Sequence, residues 1–368
     1  MLLFNRSLRL GVLALALAGC GGGGGGSPRS EPLEVQPSSY LNFKGVGLTP
    51  QNLPEAVAGN GTTARAFGDF AREGRLDLIT ATLTYSVVQP IASATPSSLR
   101  YWRKTNSGYV EDSKRLRSAS GCIHPRKSLV ADFNGDSTPD VFLICHGYDA
   151  GAFPGEKNQL LLSQPDGSFS VSVATDDVGF WHGGTAFDIN ADGFVDVIAV
   201  TGGNTPTVWL NDGSGGFQTD TSARFAPMPG SGYYSLEAVD VDDDNDFDLI
   251  LGGHETEGST AVLLNPGDGV FAQVVPTDLP SIAGWGVVLD FVATGDSGGT
   301  QLWVLRSQDG SNFYQGKLIQ KIQWPSLSSA IAIEDTNGAW LPWIIPTSLG
   351  SKPVIAPDVA TDGFWVLR

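Results

Sequence analysis

The chain has 368 residues, 47 of them glycine, with 41% hydrophobic residues and a formal charge of −17. This is long enough for a sizeable core, and the glycine points to many turns rather than long helices. The acidic excess excludes nucleic acid and anionic membrane surfaces as partners, because both select basic patches.

Residues 1–20 read as an export signal. Arg6 and Arg9 precede the short apolar run GVLALALAG, which is too short to span a bilayer as a permanent helix. The end of this segment, Leu17-Ala18-Gly19-Cys20, resembles the lipobox of bacterial lipoprotein signals. The resemblance implies that Cys20 is lipidated and becomes the new N-terminus, and Gly21 after it favours outer-membrane sorting. The expected location is therefore the bacterial cell envelope, with membrane contact only through the anchor. Residues 21–39, rich in Gly, Ser and Pro, read as a flexible tether with a reach of roughly 25 Å. With Cys20 acylated, Cys122 and Cys145 are the two cysteines left, and in an exported protein they invite a disulfide. The cysteines lack the spacing of a zinc site.

From residue 40 onward a pattern repeats. Residues 132–140 read DFNGDSTPD, 188–196 read DINADGFVD, and 240–248 read DVDDDNDFD. A weaker copy, DFAREGRLD, starts at Asp69, and two decayed copies lie at Asp290 and around Asp335. Successive first aspartates are 63, 56, 52, 50 and 45 residues apart, a spacing suited to propeller blades. Each loop lies between short apolar runs, and the glycine turns of LLLSQPDGSF, TVWLNDGSGGF and AVLLNPGDGVF follow. Such runs read as strands, four per repeat, with the acidic loop joining the first to the second. The expected fold is thus an all-β propeller of four-stranded blades covering residues 40–368. Six loops favour six blades, with seven as the alternative, and Tyr40–Val46 would supply the last blade's fourth strand.

Oxygen-bearing side chains at positions 1, 3, 5 and 9, with a carbonyl at 7, suit a hard cation, and calcium fits best. An EF-hand is ruled out, because position 12 would be Leu143, Ala199 or Leu251 rather than a bidentate Glu, and the flanks are strands. Strand, D-x-[DN]-x-D-x-x-x-D, strand, then a glycine turn such as LLNPGDGVF resembles the FG-GAP/VCBS repeat, best known from integrin α-subunit propellers. In that family the calcium loops are structural and lie opposite the usual ligand-binding face. Carried over, Asp132, Asn134, Asp136 and Asp140 would hold one ion, with the carbonyl of Thr138. Asp188, Asn190, Asp192 and Asp196 would hold a second with the carbonyl of Phe194, and Asp240, Asp242, Asp244 and Asp248 a third with that of Asp246. Asp69, Glu73 and Asp77 form a weaker fourth site, since Ala71 removes a ligand and Arg72 adds a positive charge. No metal is expected at Asp290 or Asp335.

Strand order places Cys122 and Cys145 at the same end of the second repeat, opposite the acidic loops. All four histidines, His124, His146, His182 and His254, map to that end, with Tyr148, Trp181, Tyr233, Tyr234 and Trp285. Aromatic rings beside polar groups suit a sugar or peptide ligand, whereas blade-junction packing is the bland alternative and a histidine-bound transition metal a less favoured one. The loop Gly147–Lys157 is the longest insertion near this face and a candidate contact. No G-x-S-x-G or Cys/His signature marks a nucleophile. The expected function is calcium-stabilised binding of a glycan or an envelope or extracellular protein, without catalysis. The alternatives are an assembly role in the envelope and, less favoured, a polysaccharide lyase or hydrolase.

Overall fold

The computed structural model describes residues 62–75, 77–85, 90–296 and 299–339, with short strands at 343–345, 354–356 and 365–366. The expected signal, Cys20, the tether and the Tyr40–Val46 strand all lie outside the described residues. Among the described residues no helix is long and apolar enough to cross a membrane.

Five antiparallel four-stranded sheets follow one another along the chain. Blade one is β1 (Thr62–Gly68), β2 (Asp77–Thr82), β3 (Ser98–Thr105) and β4 (Gly108–Glu111). Blade two is β5 (Pro125–Ala131), β6 (Asp140–Cys145), β7 (Gln159–Ser163) and β8 (Phe169–Val173). Blade three comprises β9 (Gly183–Phe187), β10 (Asp196–Val200), β11 (Thr207–Asn211) and β12 (Phe217–Thr219). Blade four comprises β13 (Tyr233–Val239), β14 (Asp248–Gly253), β15 (Ala261–Leu263) and β16 (Thr277–Asp278). Blade five is β17 (Val287–Asp296), β18 (Gly299–Ser307), β19 (Gln315–Gln323) and β20 (Ser328–Ala339).

This corrects the expected count: among the described residues there are five four-stranded blades, not six or seven. The short strands β21 (Trp343–Ile345), β22 (Val354–Ala356) and β23 (Trp365–Val366) make a three-stranded sheet instead. The miscount came from two aspartates that are not in loops. Asp290 sits inside β17 and Asp335 inside β20, so the last two apparent repeats are the first and fourth strands of one blade.

The core lies between blades. Along an extended strand alternate side chains point to opposite faces. Leu129 and Ile144 therefore pack with Trp181, Val197 and Trp209 of blade three, while Val130 and Leu143 pack with Ile79, Leu99 and Tyr101 of blade one. The same interleaving joins blades three and four through Ile198, Val200, Leu236 and Leu251, and blades four and five through Ile250, Val262, Phe291 and Val304. With both faces covered, β5, β6, β9, β10 and β14 are buried at every residue, which is why β6, β10 and β14 read as near-continuous apolar runs after their first aspartate. Each fully buried Leu, Ile, Val or Phe contributes about 1.5–3 kcal/mol.

Candidate functional site

The two ends of each blade differ in chemistry. At one end, the acidic loops join first and second strands. Position 1 organises each loop: Asp132 Oδ1 accepts the N–H of Gly135 at 2.8 Å and Oδ2 that of Ser137 at 2.7 Å. Asp188 does the same for Asp192 and Gly193, Asp240 for Asp243 and Asn245, and Asp69 for Glu73 and Gly74. Positions 4 and 6 take positive φ in all four loops: Arg72 and Gly74, Gly135 and Ser137, Ala191 and Gly193, Asp243 and Asn245. The weak loop thus shares the backbone form of the strong ones.

Position 9 has a second role that motif reading missed. Asp196 is fully buried, its Oδ2 accepting the N–H of Ile189 at 3.1 Å and its Oδ1 that of Asn211 at 2.8 Å. Asp140 takes the N–H groups of Phe133 and Ser163, and Asp248 those of Val241 and Asn265. Each carboxylate therefore locks its loop to the end of strand three. In blade one Asp77 accepts from Lys104 N–H and the Tyr101 hydroxyl. Burial pushes Asp140, Asp196 and Asp248 up to about 7, against those donors.

The donor sets fit calcium. One carboxylate oxygen each from Asp240, Asp242 and Asp244 lie within 4.8 Å of one another. Asn134 reaches Asp136 at 3.3 Å and Asn190 reaches Asp192 at 2.9 Å, so positions 3 and 5 converge in the other two loops. All are hard oxygens. In the first loop Arg72 turns away from its own carboxylates, donates to the Asp136 carbonyl and pairs with the Asp136 carboxylate at 3.8 Å. Asp290, by contrast, is buried and pairs with Lys127 at 3.7 Å, and half-buried Asp335 pairs with Lys317 at 3.0 Å.

At the opposite end a cavity of about 670 Å³ opens. Its wall follows a rule. Pairing of first and second strands skips one residue near the start of β1, β5, β13 and β17, namely Thr63, Arg126, Tyr234 and Leu289. Such bulges re-aim a side chain, and the first three line the cavity. The residues just after second strands, Leu83, Thr201 and His254, line it too. His124 and His182 precede β5 and β9 and complete the inner wall. Asp149 and Phe153 come from the Gly147–Lys157 loop, joined by Phe180 and Tyr314.

The rings form a continuous arc. Centroids are 6.2 Å apart for Tyr85–His124, 4.8 Å for His124–His146, 5.1 Å for His146–His182 and 4.8 Å for His182–Tyr234. The arc continues at 4.6 Å to His254 and 5.8 Å to Tyr314. All four histidines are held below their ordinary pKa, mainly by burial; His124 falls to about 3, with the Arg126 charge assisting. At neutral pH this wall carries uncharged imidazoles.

The structure sorts the expected ligand residues. His124, His182 and His254 line the cavity, and His146 lies behind them, buried. Tyr148 is buried behind Tyr85. Trp181 packs on Trp209, Tyr233 sits in the blade three–four core, and buried Trp285 donates to Glu334. Asp149 lies in the Gly147–Lys157 loop, the expected contact, whereas Arg126 and Tyr314 were missed and no sequence pattern marks them. The disulfide Cys122–Cys145 is formed, with Cα atoms 6.1 Å apart at this end of blade two.

Successive four-stranded sheets with a shared axial cavity define a β-propeller. The FG-GAP-like repeat family matches residues 132–199 and 188–251, which are blades two to four up to the end of the third acidic hairpin. Residues 132–251 are thus FG-GAP-like repeats set within a β-propeller. Among curated proteins none matches in sequence. Among solved structures, a candidate 6-phosphogluconolactonase from Bacteroides fragilis is similar, at TM-score 0.50 and 10% identity over 80% of this chain and 76% of that one. The Vibrio cholerae biofilm matrix protein Bap1 aligns at TM-score 0.37 and 15% identity over 76% of this chain and 40% of that one. At such identities the first likeness concerns fold alone. The FG-GAP propeller supports a non-catalytic binding or structural role, and function has to be argued from the site.

Proposed function

We propose that the protein is an envelope-anchored, calcium-stabilised propeller that binds a glycan or a protein ligand in the histidine-end cavity without turning it over. The observation that carries this reading is the cavity itself: about 670 Å³, walled by aromatic rings and imidazoles, with Arg126 and Asp149 as charged contacts. That mixture suits a polar ligand with apolar faces, a sugar above all. Among the described residues lining it, no serine or cysteine stands beside a histidine as a nucleophile would. Calcium in the loops of Asp132, Asp188 and Asp240 offsets the crowded carboxylates at the far end and fixes the inner hairpins. The anchor at Cys20 would keep the protein at the outer membrane.

The test is a glycan array probed with the purified chain in calcium and in EDTA, repeated with Tyr234→Ala and His254→Ala. Both side chains are only partly buried, so these variants spare the core. Binding lost at least tenfold in both variants, without product formation from the bound glycan, would support the reading. Glycan binding that survives both changes would move the site elsewhere, and turnover would make the protein an enzyme. No binding in either condition favours the assembly role, which cross-linking in native envelopes would then address.

A further inference from the structure

Two buried histidines carry ring nitrogens that have no hydrogen-bond partner among the described residues. His146 is 1% exposed, and neither Nδ1 nor Nε2 has a hydrogen-bond partner among the described residues. His124 is 5% exposed; its Nδ1 meets the Tyr85 hydroxyl at 3.1 Å, and its Nε2 has no partner among the described residues. Buried polar groups are nearly always paired, so three orphaned nitrogens on adjacent rings mark a missing ligand. A carboxylate stands beside them. One donor atom each from His124, His146 and Asp149 lie within 4.8 Å of one another.

The frame around this trio is rigid. His124 and His146 follow the bridged Cys122 and Cys145 by two residues and one residue, so a covalent cross-link ties their segments together. The His146 N–H donates to the His124 carbonyl at 2.9 Å. Glu156 then accepts the N–H groups of Ile123, His124 and Gly147 at 2.8, 2.9 and 3.0 Å. Gly147 has φ +79, and an added Cβ would lie 2.5 Å from the Gly155 backbone, so the loop carrying Asp149 closes tightly on the pair. A disulfide, a shared carboxylate and a backbone bond fix two imidazoles that themselves bond to little. Pre-organised metal ligands are held in this way.

We infer that His124, His146 and Asp149 bind one divalent transition-metal ion, with a coordination position open to the cavity. Two imidazoles and a carboxylate favour zinc and its neighbours over calcium, whereas the acidic loops offer only oxygen. The 4.8 Å limit is a small side-chain adjustment from the about 3.3 Å spacing that tetrahedral zinc imposes on its ligands. His124 and Asp149 both line the cavity, so the open position faces it. Arg126 lines the same cavity and its charge opposes a cation; the Asp149 and Glu156 carboxylates offset it. The inference does not depend on which ligand the cavity takes.

The test uses the full chain without a histidine tag, stripped with chelator and returned to excess calcium so that the acidic loops are filled. Zinc is titrated by calorimetry, and cobalt is added separately for its visible spectrum. One equivalent of zinc should bind, and cobalt should give the intense bands of a tetrahedral nitrogen–oxygen site. His146→Asn should weaken zinc by about 100-fold or more and Asp149→Asn by about 10-fold or more, since losing a ligand costs no less than losing one of the outer-shell partners that support it. Thermal unfolding without zinc and a thiol assay confirm that each variant is folded and bridged. Asp149→Asn, on a partly exposed loop residue, keeps the test decisive if His146→Asn fails to fold. No zinc uptake in excess calcium overturns the inference, as does uptake that survives both substitutions.

Discussion

In blade three the inner pair β9 and β10 stops at Phe187 opposite Asp196, and residues 188–195 loop out between them. In blade five the pair β17 and β18 continues to Asp296 opposite Gly299. The two blades share a strand plan but finish the inner hairpin differently. Blade three uses short strands, a carboxylate lock at Asp196 and a cluster of negative charge that suits a cation. Blade five uses longer strands, a Trp303 Nε1–H to Thr294 Oγ1 bond at 3.0 Å and Lys321 stacked over the Trp303 ring at 4.7 Å. An acidic loop and an extended hairpin are thus alternative ways to close one end of a blade. The prediction is that only the first responds to calcium.

The largest expected effect is where the two kinds of blade meet. Lys127 of blade two is buried and pairs with Glu237 of blade four and Asp290 of blade five. Burial pulls its ammonium pKa down, but the two carboxylates more than offset this and raise it. Lys127→Met leaves two buried carboxylates without their cation and should cost roughly 3–5 kcal/mol in urea unfolding. The triple change with Glu237→Gln and Asp290→Asn should recover most of that. If the triple variant is as unstable as the single one, the loss comes from packing and not from charge.

Next is the lock itself. Asp196→Ala removes an acceptor from two buried N–H groups and should cost about 2–4 kcal/mol, whereas Thr294→Val in blade five should cost about 1 kcal/mol. Equal losses would erase the distinction between the two closures. The pH dependence sharpens it. Burial raises Asp140, Asp196 and Asp248 from 3.8 to about 7. In EDTA the folded chain therefore keeps protons that the unfolded chain has released, and stability falls as pH climbs through that interval. Calcium supplies the counter-charge, so the difference in Tm between calcium and EDTA should be larger at pH 8 than at pH 5. A difference that is equal or smaller at pH 8 would mean that these carboxylates do not feel the ion.

Much of this was legible in the sequence because it is periodic. The four-strand unit, the acidic loops and the end-to-end separation of Cys122 and Cys145 from Asp132 all follow from spacing along the chain. The blade count failed where a glycine-bearing run after Asp290 resembled a loop while the chain stayed extended. The cavity failed on parity. Trp181 and His182, like Tyr233 and Tyr234, are neighbours that must point opposite ways on extended backbone, and sequence alone does not say which of each pair faces inward. His182 and Tyr234 do, and Trp181 and Tyr233 fill the core. Arg126 reaches the wall through a one-residue bulge, which leaves no mark in composition.

The smallest expected effect separates the first acidic loop from the second. Arg72 has the loop's left-handed backbone but spends its charge on the neighbouring blade, where it meets both the carbonyl and the carboxylate of Asp136. Asp136 would be a ligand of the calcium site in the Asp132 loop, so the guanidinium would compete with the ion. The pair is exposed, with 55% and 36% of the two side chains accessible, and exposed pairs contribute under about 1 kcal/mol. Arg72→Ala should therefore raise calcium affinity at the second loop by only about two- to fivefold and leave stability nearly unchanged. Raising the salt to about 0.5 M should remove the difference between the two proteins, since a contact on the surface is screened over a few ångström. Weaker calcium binding in the variant would give Arg72 the opposite role, a brace that holds the second loop in shape.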